Sequence, residues 1–188
     1  MLKSEARTFF LNKRKSISQQ ELLKWDDLLL IQLQKMDWTS THVLGSFYPM
    51  EHQNEPNSLL LTKYLSFLIP DLKLGYPKVD STRHTMQFFP ETENTTMNTW
   101  GIAEPIKSIP LNPGQIDTFL VPLLGFDLNG QRIGFGKGYY DKYFENIAST
   151  TLKIGLSYFE PIEAIVDTHQ FDVPLTHCIT PWKIYEFQ

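Results

Sequence analysis

The chain has 188 residues, 41% hydrophobic and 20% charged, which suits one domain burying about 70% of its unfolded surface and excludes intrinsic disorder. A formal net charge of -4 lacks the basic excess of a phosphate-backbone binder and excludes nucleic acid as an expected partner. The lone cysteine, Cys178, excludes an internal disulfide, and no Cys or His pair has metal-ligand spacing. The N-terminus lacks a signal-like apolar run and no stretch approaches the roughly 18 apolar residues of a membrane span, so a cytoplasmic monomer without membrane contact is expected.

Lys3 to Lys15 contains neither Pro nor Gly and reads as a helix whose cations Lys3, Arg7 and Arg14 fall near one face. Ser18-Gln19-Gln20-Glu21 is a capping box that starts a second helix, running to about Met36 with Leu22, Leu29, Leu30 and Leu33 as its apolar stripe. His42 to Tyr48 is β-branched and aromatic and is stopped by Pro49, the pattern of a strand. Ser58 to Leu68 reads as a helix, Leu72 to Tyr76 as a strand ended by Pro77, and Met86 to Phe89 as a strand ended by Pro90. Residues 91–99 form a polar excursion. Ile116 to Leu124 is almost continuously apolar, as in a strand covered on both faces. A glycine-rich turn, a helix from about Tyr139 and a buried strand from Leu152 to Leu156 follow. This alternation predicts a three-layer α/β/α domain with a central, mostly parallel sheet and ligands at the carboxyl ends of its strands.

The turn between the buried strand and the helix carries the chemistry. Gly134, Gly136 and Gly138, with Phe135 and Lys137 between them, permit positive φ and close backbone approach, so successive N–H groups can converge on an anion. Arg132, Lys137 and the helix start add positive charge. A flexible strand-end turn would use the same glycines. The sequence is neither a Walker A loop nor a dinucleotide fingerprint, which leaves phosphate binding of another lineage. Asp141 fits either a favourable first-turn anion or a magnesium ligand facing phosphates, and Asp172 fits either an Asx-type turn before Pro174 or the second ligand.

The run Gly125-Phe126-Asp127-x-x-Gly130-x-Arg132-x-Gly134-x-Gly136-Lys137-Gly138-Tyr139-Tyr140-Asp141-x-Tyr143 resembles the signature of the 5-formyltetrahydrofolate cyclo-ligase family without a gap. Lys3-x-x-x-Arg7, followed by Arg14, resembles the family's N-terminal ATP contacts. Phe47-Tyr48-Pro49-Met50 with Glu55, and Trp100-Gly101-Ile102-Ala103-Glu104-Pro105, resemble its folate-site elements, and Phe171-Asp172-Val173-Pro174 with Ile179-Thr180 resembles its closing segment. Phe171 replaces the family's usual His, and Glu55-Pro56-Asn57-Ser58 replaces Glu-x-Asp/Glu-Thr.

The resemblance implies an ATP- and magnesium-dependent closure of 5-formyltetrahydrofolate to 5,10-methenyltetrahydrofolate, with ADP and phosphate released. It implies ATP contacts from Lys3, Arg7, Arg14, Arg132, Gly134, Phe135, Gly136, Lys137, Gly138, Tyr139 and Tyr140. Arg132, Lys137 and Tyr140 would be catalytic. Tyr48, Met50, Glu55, Trp100, Tyr139 and Tyr140 would hold the reduced folate, and Asp141 and Asp172 would hold magnesium. Without the resemblance, Glu55 reads as a loop acid, Trp100 as core filler and the Tyr pair as core. A non-catalytic nucleotide- or folate-binding relative and another ATP-dependent phosphotransferase are the competing functions. Serine hydrolase chemistry is disfavoured because Gly155-Leu156-Ser157-Tyr158-Phe159 lacks the second glycine of a nucleophile elbow, and a structural zinc site has no ligand set.

Overall fold

A computed structural model describes residues 1–92, 94–98, 103–106 and 109–187. The helices are α1 (Lys3–Lys15), α2 (Gln19–Leu33), α3 (Ser58–Leu68) and α4 (Tyr139–Phe144). The strands are β1 (Val43–Gly45), β2 (Lys73–Asp80), β3 (Thr85–Pro90), β4 (Thr95–Met97), β5 (Ala103–Pro105), β6 (Thr118–Pro122), β7 (Gly125–Phe126), β8 (Arg132–Ile133), β9 (Leu152–Leu156), β10 (His177–Ile179) and β11 (Ile184–Glu186).

The helix starts are chemically specified. Ser18 accepts from the Glu21 N–H at 3.3 Å while the Glu21 carboxylate accepts from the Ser18 N–H at 2.9 Å, completing the capping box expected from the sequence. Asn57 caps α3 by accepting from the Leu60 N–H at 3.1 Å. Lys13, Arg14 and Lys15 occupy the last turn of α1, where cations oppose the helix dipole.

Seven strands make one sheet in the order β11-β10-β9-β6-β1-β2-β3. The five inner strands, β10 to β2 in that order, are parallel, and both edges are antiparallel. Side chains alternate across it. Leu44, Leu120, Ile154, Leu156 and Ile179 pack with Ala6, Phe10, Leu29, Leu33, Leu61 and Leu65 of the first three helices. Phe119, Val121 and Cys178 face the other way, with Phe88, Tyr143 and Phe144. The expected α/β architecture, with a mostly parallel sheet and helices on both faces, is thus present. Gly45 is the register partner of Phe119, and a Cβ there would stand 2.5 Å from the Phe119 ring, so glycine makes room for a fully buried aromatic.

Several boundaries differ from expectation. α2 stops at Leu33 rather than near Met36, and β1 covers only Val43–Gly45 of the apolar run. Pro77 does not end β2, which continues to Asp80. Beyond Gly75 that strand pairs with β3, so a proline without an N–H is tolerated where the β1 ladder has ended. The segment after β6 contains a two-residue-per-strand hairpin, β7 with β8, before the glycines. α4 has only six residues. Inside the polar excursion, β4 forms and pairs antiparallel with β5, which lies beyond it. Among the described residues no helix is long and apolar enough to cross a membrane.

Candidate active site

Strand order places the site. From β1 the chain moves outward to β2, then returns to β6 on the opposite side of β1 and continues to β9 and β10. The carboxyl ends of β1 and β6 therefore flank a topological switch point, where loops diverge and leave a crevice. The loop after β1 carries Ser46, Tyr48, Met50 and Glu55. The loop after β6 carries the hairpin and the glycine turn.

The N-terminal helix lies across this turn. Arg7 donates from Nε to the Gly134 carbonyl at 3.0 Å, and Lys3 ion-pairs with Asp172. Gly136 and Gly138 have φ of 88° and 69°, a region that glycine occupies without the steric cost of a Cβ. A Cβ on Gly136 would meet the Arg7 guanidinium at 3.3 Å, whereas one on Gly134 or Gly138 would meet nothing within 4 Å. The turn is thus packed against Arg7 on one side and open on the other. Phe135, Gly136, Lys137 and Gly138 are exposed, and among the described residues Lys137 has no ion-pair partner.

Arg132 is placed differently from a free phosphate ligand. Its side chain is 6% exposed and donates to the Val173 carbonyl at 2.6 Å and to Asp141 Oδ1 at 2.5 Å. Burial pulls its guanidinium below the usual arginine range, against the pull of Asp141 and Asp172. Asp141 Oδ1 also accepts from the Val173 N–H at 3.1 Å. Arg132 and Asp141 thereby tie the turn and α4 to the segment that carries Asp172. Burial pushes the Asp172 carboxyl up, but the Lys3 hydrogen bond, the His169 N–H and the Lys3 charge outweigh it, so its pKa lies below the ordinary value.

Arg14 belongs to another environment. It is buried, donates from Nη2 to the Leu123 carbonyl at the carboxyl end of β6, and faces Glu55 with 3.9 Å between Nη1 and Oε1. Burial pushes the Glu55 carboxyl up, with Arg14 and the Met50 N–H opposing. Glu55 Oε2 accepts from that N–H at 2.9 Å, while Oε1 has no hydrogen-bond partner. Tyr140 Oη is also buried and unpaired. Burial, and then the Glu55 charge, hold its pKa far above the usual tyrosine range. Tyr48 stacks on Tyr76 with centroids 4.2 Å apart, and Tyr139 stacks on His84 at 6.4 Å. Trp100 lies outside the described residues.

Magnesium can be tested against the two aspartates. Each uses one oxygen for its present partners, Oδ1 in Asp141 and Oδ2 in Asp172, leaving the second oxygen of each outside these contacts. Among the described residues no three His, Cys, Asp or Glu side chains cluster as a metal cage. Two carboxylate oxygens completed by water and phosphate oxygens suit magnesium's habit, so the donor set fits.

Residues 1–181 match the 5-formyltetrahydrofolate cyclo-ligase family. The chain belongs to that family. The 5-formyltetrahydrofolate cyclo-ligase of Mycoplasma genitalium is 44% identical over 69 residues, which cover 36% of this chain and 42% of the relative. An NMR structure of Aquifex aeolicus 5,10-methenyltetrahydrofolate synthetase has a TM-score of 0.81 and 26% identity, covering 100% of this chain and 94% of that one. A 5,10-methenyltetrahydrofolate synthetase from Mycoplasma pneumoniae has a TM-score of 0.76 and 27% identity, covering 95% of this chain and 98% of that one. The chain spans about half the length of the first curated relatives it matches.

Within the family frame, the structure brings Lys3, Arg7, Arg132, Asp141 and Asp172 together around the glycine turn and sets Arg14 beside Glu55. It also adds residues that sequence reasoning passed over. Asp26 accepts from the Tyr158 hydroxyl at 2.7 Å and from the Asn57 N–H at 3.0 Å, holding the loop that carries Glu55. Ser46 Oγ is buried without a partner. A serine at a strand end and an aspartate inside a helix have no sequence signal that separates them from ordinary packing.

Proposed function

We propose that the chain converts 5-formyltetrahydrofolate to 5,10-methenyltetrahydrofolate at the cost of one ATP. The observation that carries this reading is the meeting, at one switch point, of an open cation-rimmed glycine turn and a buried acid–guanidinium pair with unpaired polar atoms. The first suits a polyphosphate and the second a polar heterocycle, and family membership supplies the reaction.

A formamide oxygen is a poor leaving group. The γ-phosphoryl group is transferred to it, releasing ADP; N10 then attacks the activated carbon, forming the new C–N bond. Phosphate departs with the former formyl oxygen, and the N10 proton is lost. Such chemistry rests on positioning and charge neutralisation and needs no protein nucleophile. Lys3, Arg7 and Lys137 draw in the triphosphate beside the N–H groups of residues 134–138. Arg132 orients the turn through Asp141 and places its charge behind the phosphates. Tyr140 donates toward the formyl oxygen, and Tyr139 with Tyr48 flanks the folate. Glu55 accepts from the pterin amino and ring N–H groups. Magnesium, held by Asp141 and Asp172, would neutralise charge on the phosphate oxygens. A single-domain, cytoplasmic monomer with small-molecule partners completes the reading.

The test is absorbance where methenyltetrahydrofolate absorbs, near the ultraviolet–visible boundary. A rise that requires both ATP and magnesium is expected. Folded protein that binds both ligands without a rise would be a binding relative, and ADP formation without the chromophore would mark another phosphotransferase.

A further inference from the structure

Arg14 and Glu55 are each 2% exposed in their side chains. Each is anchored by half: Arg14 through Nη2 to the Leu123 carbonyl, and Glu55 through Oε2 to the Met50 N–H. The other half of each has no hydrogen-bond partner, leaving Nε and Nη1 on one side and Oε1 on the other. At 3.9 Å, Nη1 and Oε1 are too far apart to satisfy one another. Ser46 Oγ and Tyr140 Oη are likewise buried and unpaired. Buried polar groups are paired in the great majority of proteins, because an unpaired one loses its hydration without recovering a partner. Unpaired donors and an unpaired acceptor on a facing guanidinium and carboxylate are a template for a ligand with the complementary groups.

We infer that Arg14 is a specificity-determining residue for the pterin ring, donating to the ring's carbonyl while Glu55 accepts from the adjacent ring N–H and amino group. This deepens the folate reading above and rests on it. The ring edge concerned presents an acceptor beside two donors, the complement of a guanidinium beside a carboxylate. A phosphate would satisfy Arg14 but meet the Glu55 charge, which disfavours the nucleotide's anionic end here. Position along α1 agrees: Arg14 lies seven residues beyond Arg7, about 10 Å along the helix axis. Lys3 and Arg7 attend the glycine turn, and Arg14 reaches the carboxyl end of β6. One helix thus serves two ligands with different chemistry.

The experiment is calorimetric titration of the full chain with 5-formyltetrahydrofolate and, separately, with a non-hydrolysable ATP analogue and magnesium. Arg14→Lys keeps the charge but loses the planar fork. It is expected to weaken folate binding about 10- to 100-fold, the loss of a charge-assisted hydrogen bond, with nucleotide affinity within about twofold of wild type. The Arg14→Met, Glu55→Leu double variant removes both buried charges, a change that folded proteins commonly tolerate. It should lose folate binding and keep nucleotide binding. Weakened nucleotide binding in either folded variant, or unchanged folate binding in Arg14→Lys, overturns the inference. A wild-type chain that binds folate but gives no absorbance rise overturns the proposed reaction and leaves the Arg14 assignment standing. A wild-type chain that binds no folate overturns both.

Discussion

Replacing Arg132 by Ala should destabilise the protein as well as stop turnover. The side chain donates to the Val173 carbonyl at 2.6 Å and to Asp141 at 2.5 Å, and its guanidinium lies 5.4 Å over the Phe144 ring. Removing one partner of a buried pair costs about 3–5 kcal/mol. Asp141 is 28% exposed, so water takes over part of the lost solvation and the low end, about 3 kcal/mol, applies. For a chain of this size each kcal/mol lowers Tm by about 2–4 °C, giving an expected drop of about 6–12 °C. A domain of ordinary stability remains folded at 25 °C after such a loss. Thermal melts of Arg132→Ala, Asp141→Asn and the double variant measure it, and contacting residues should show a coupling of about 0.5–3 kcal/mol. A melt within about 2 °C of wild type, with additive single variants, would refute the tethering role and leave Arg132 as a phosphate ligand alone.

Burial raises the Asp26 carboxyl above its ordinary value of 3.8, with the Asn57 N–H and the Tyr158 hydroxyl opposing. The stability it contributes is present below the unfolded pKa and lost as pH rises through the folded one. Asp26→Asn keeps an oxygen for both donors, so the variant should melt above wild type at pH 7, the advantage vanishing as pH falls below about 3.8; equal melting temperatures at pH 7 would count against it. Gly136→Ala places a Cβ 3.3 Å from the Arg7 guanidinium at a φ of 88°. It should cost about 1–2 kcal/mol in backbone strain and raise the KM for ATP more than that for folate, which steady-state kinetics would show. Chelating magnesium should abolish turnover without shifting Tm, because Lys3 and Arg132 already balance Asp172 and Asp141; a lowered Tm in chelator would indicate a structural metal.

Local chemistry made much of this fold legible. The Ser18 capping box fixed the start of α2, and the apolar run before the glycines announced a strand covered on both faces. Where a residue's neighbours come from distant segments, the sequence was mute. Arg14 shares a helical face with Lys3 and Arg7, and spacing alone groups all three with one ligand. Its burial follows from where the end of β6 and the Glu55 loop arrive, which depends on strand order. Pro77 failed as a strand terminator for a related reason, since its cost depends on whether a neighbouring strand needs that N–H. The glycine turn was legible because its conformation demands its composition. Arg132 shows the limit: its charge was visible, but the Val173 carbonyl that holds it lies 41 residues away.

The ion pair between Lys3 and Asp172 joins residues 169 apart in the chain. Contacts of such separation form late, because the loop they close must be ordered first. The first helix and the segment around Asp172 are therefore expected to dock last during folding, after the parallel strands have assembled. A ligand held between them would bind only the docked state and stabilise it by mass action. Amide hydrogens of α1 and of residues 169–173 should then slow their exchange together when nucleotide is added, as one cooperative unit spanning the two ends of the chain.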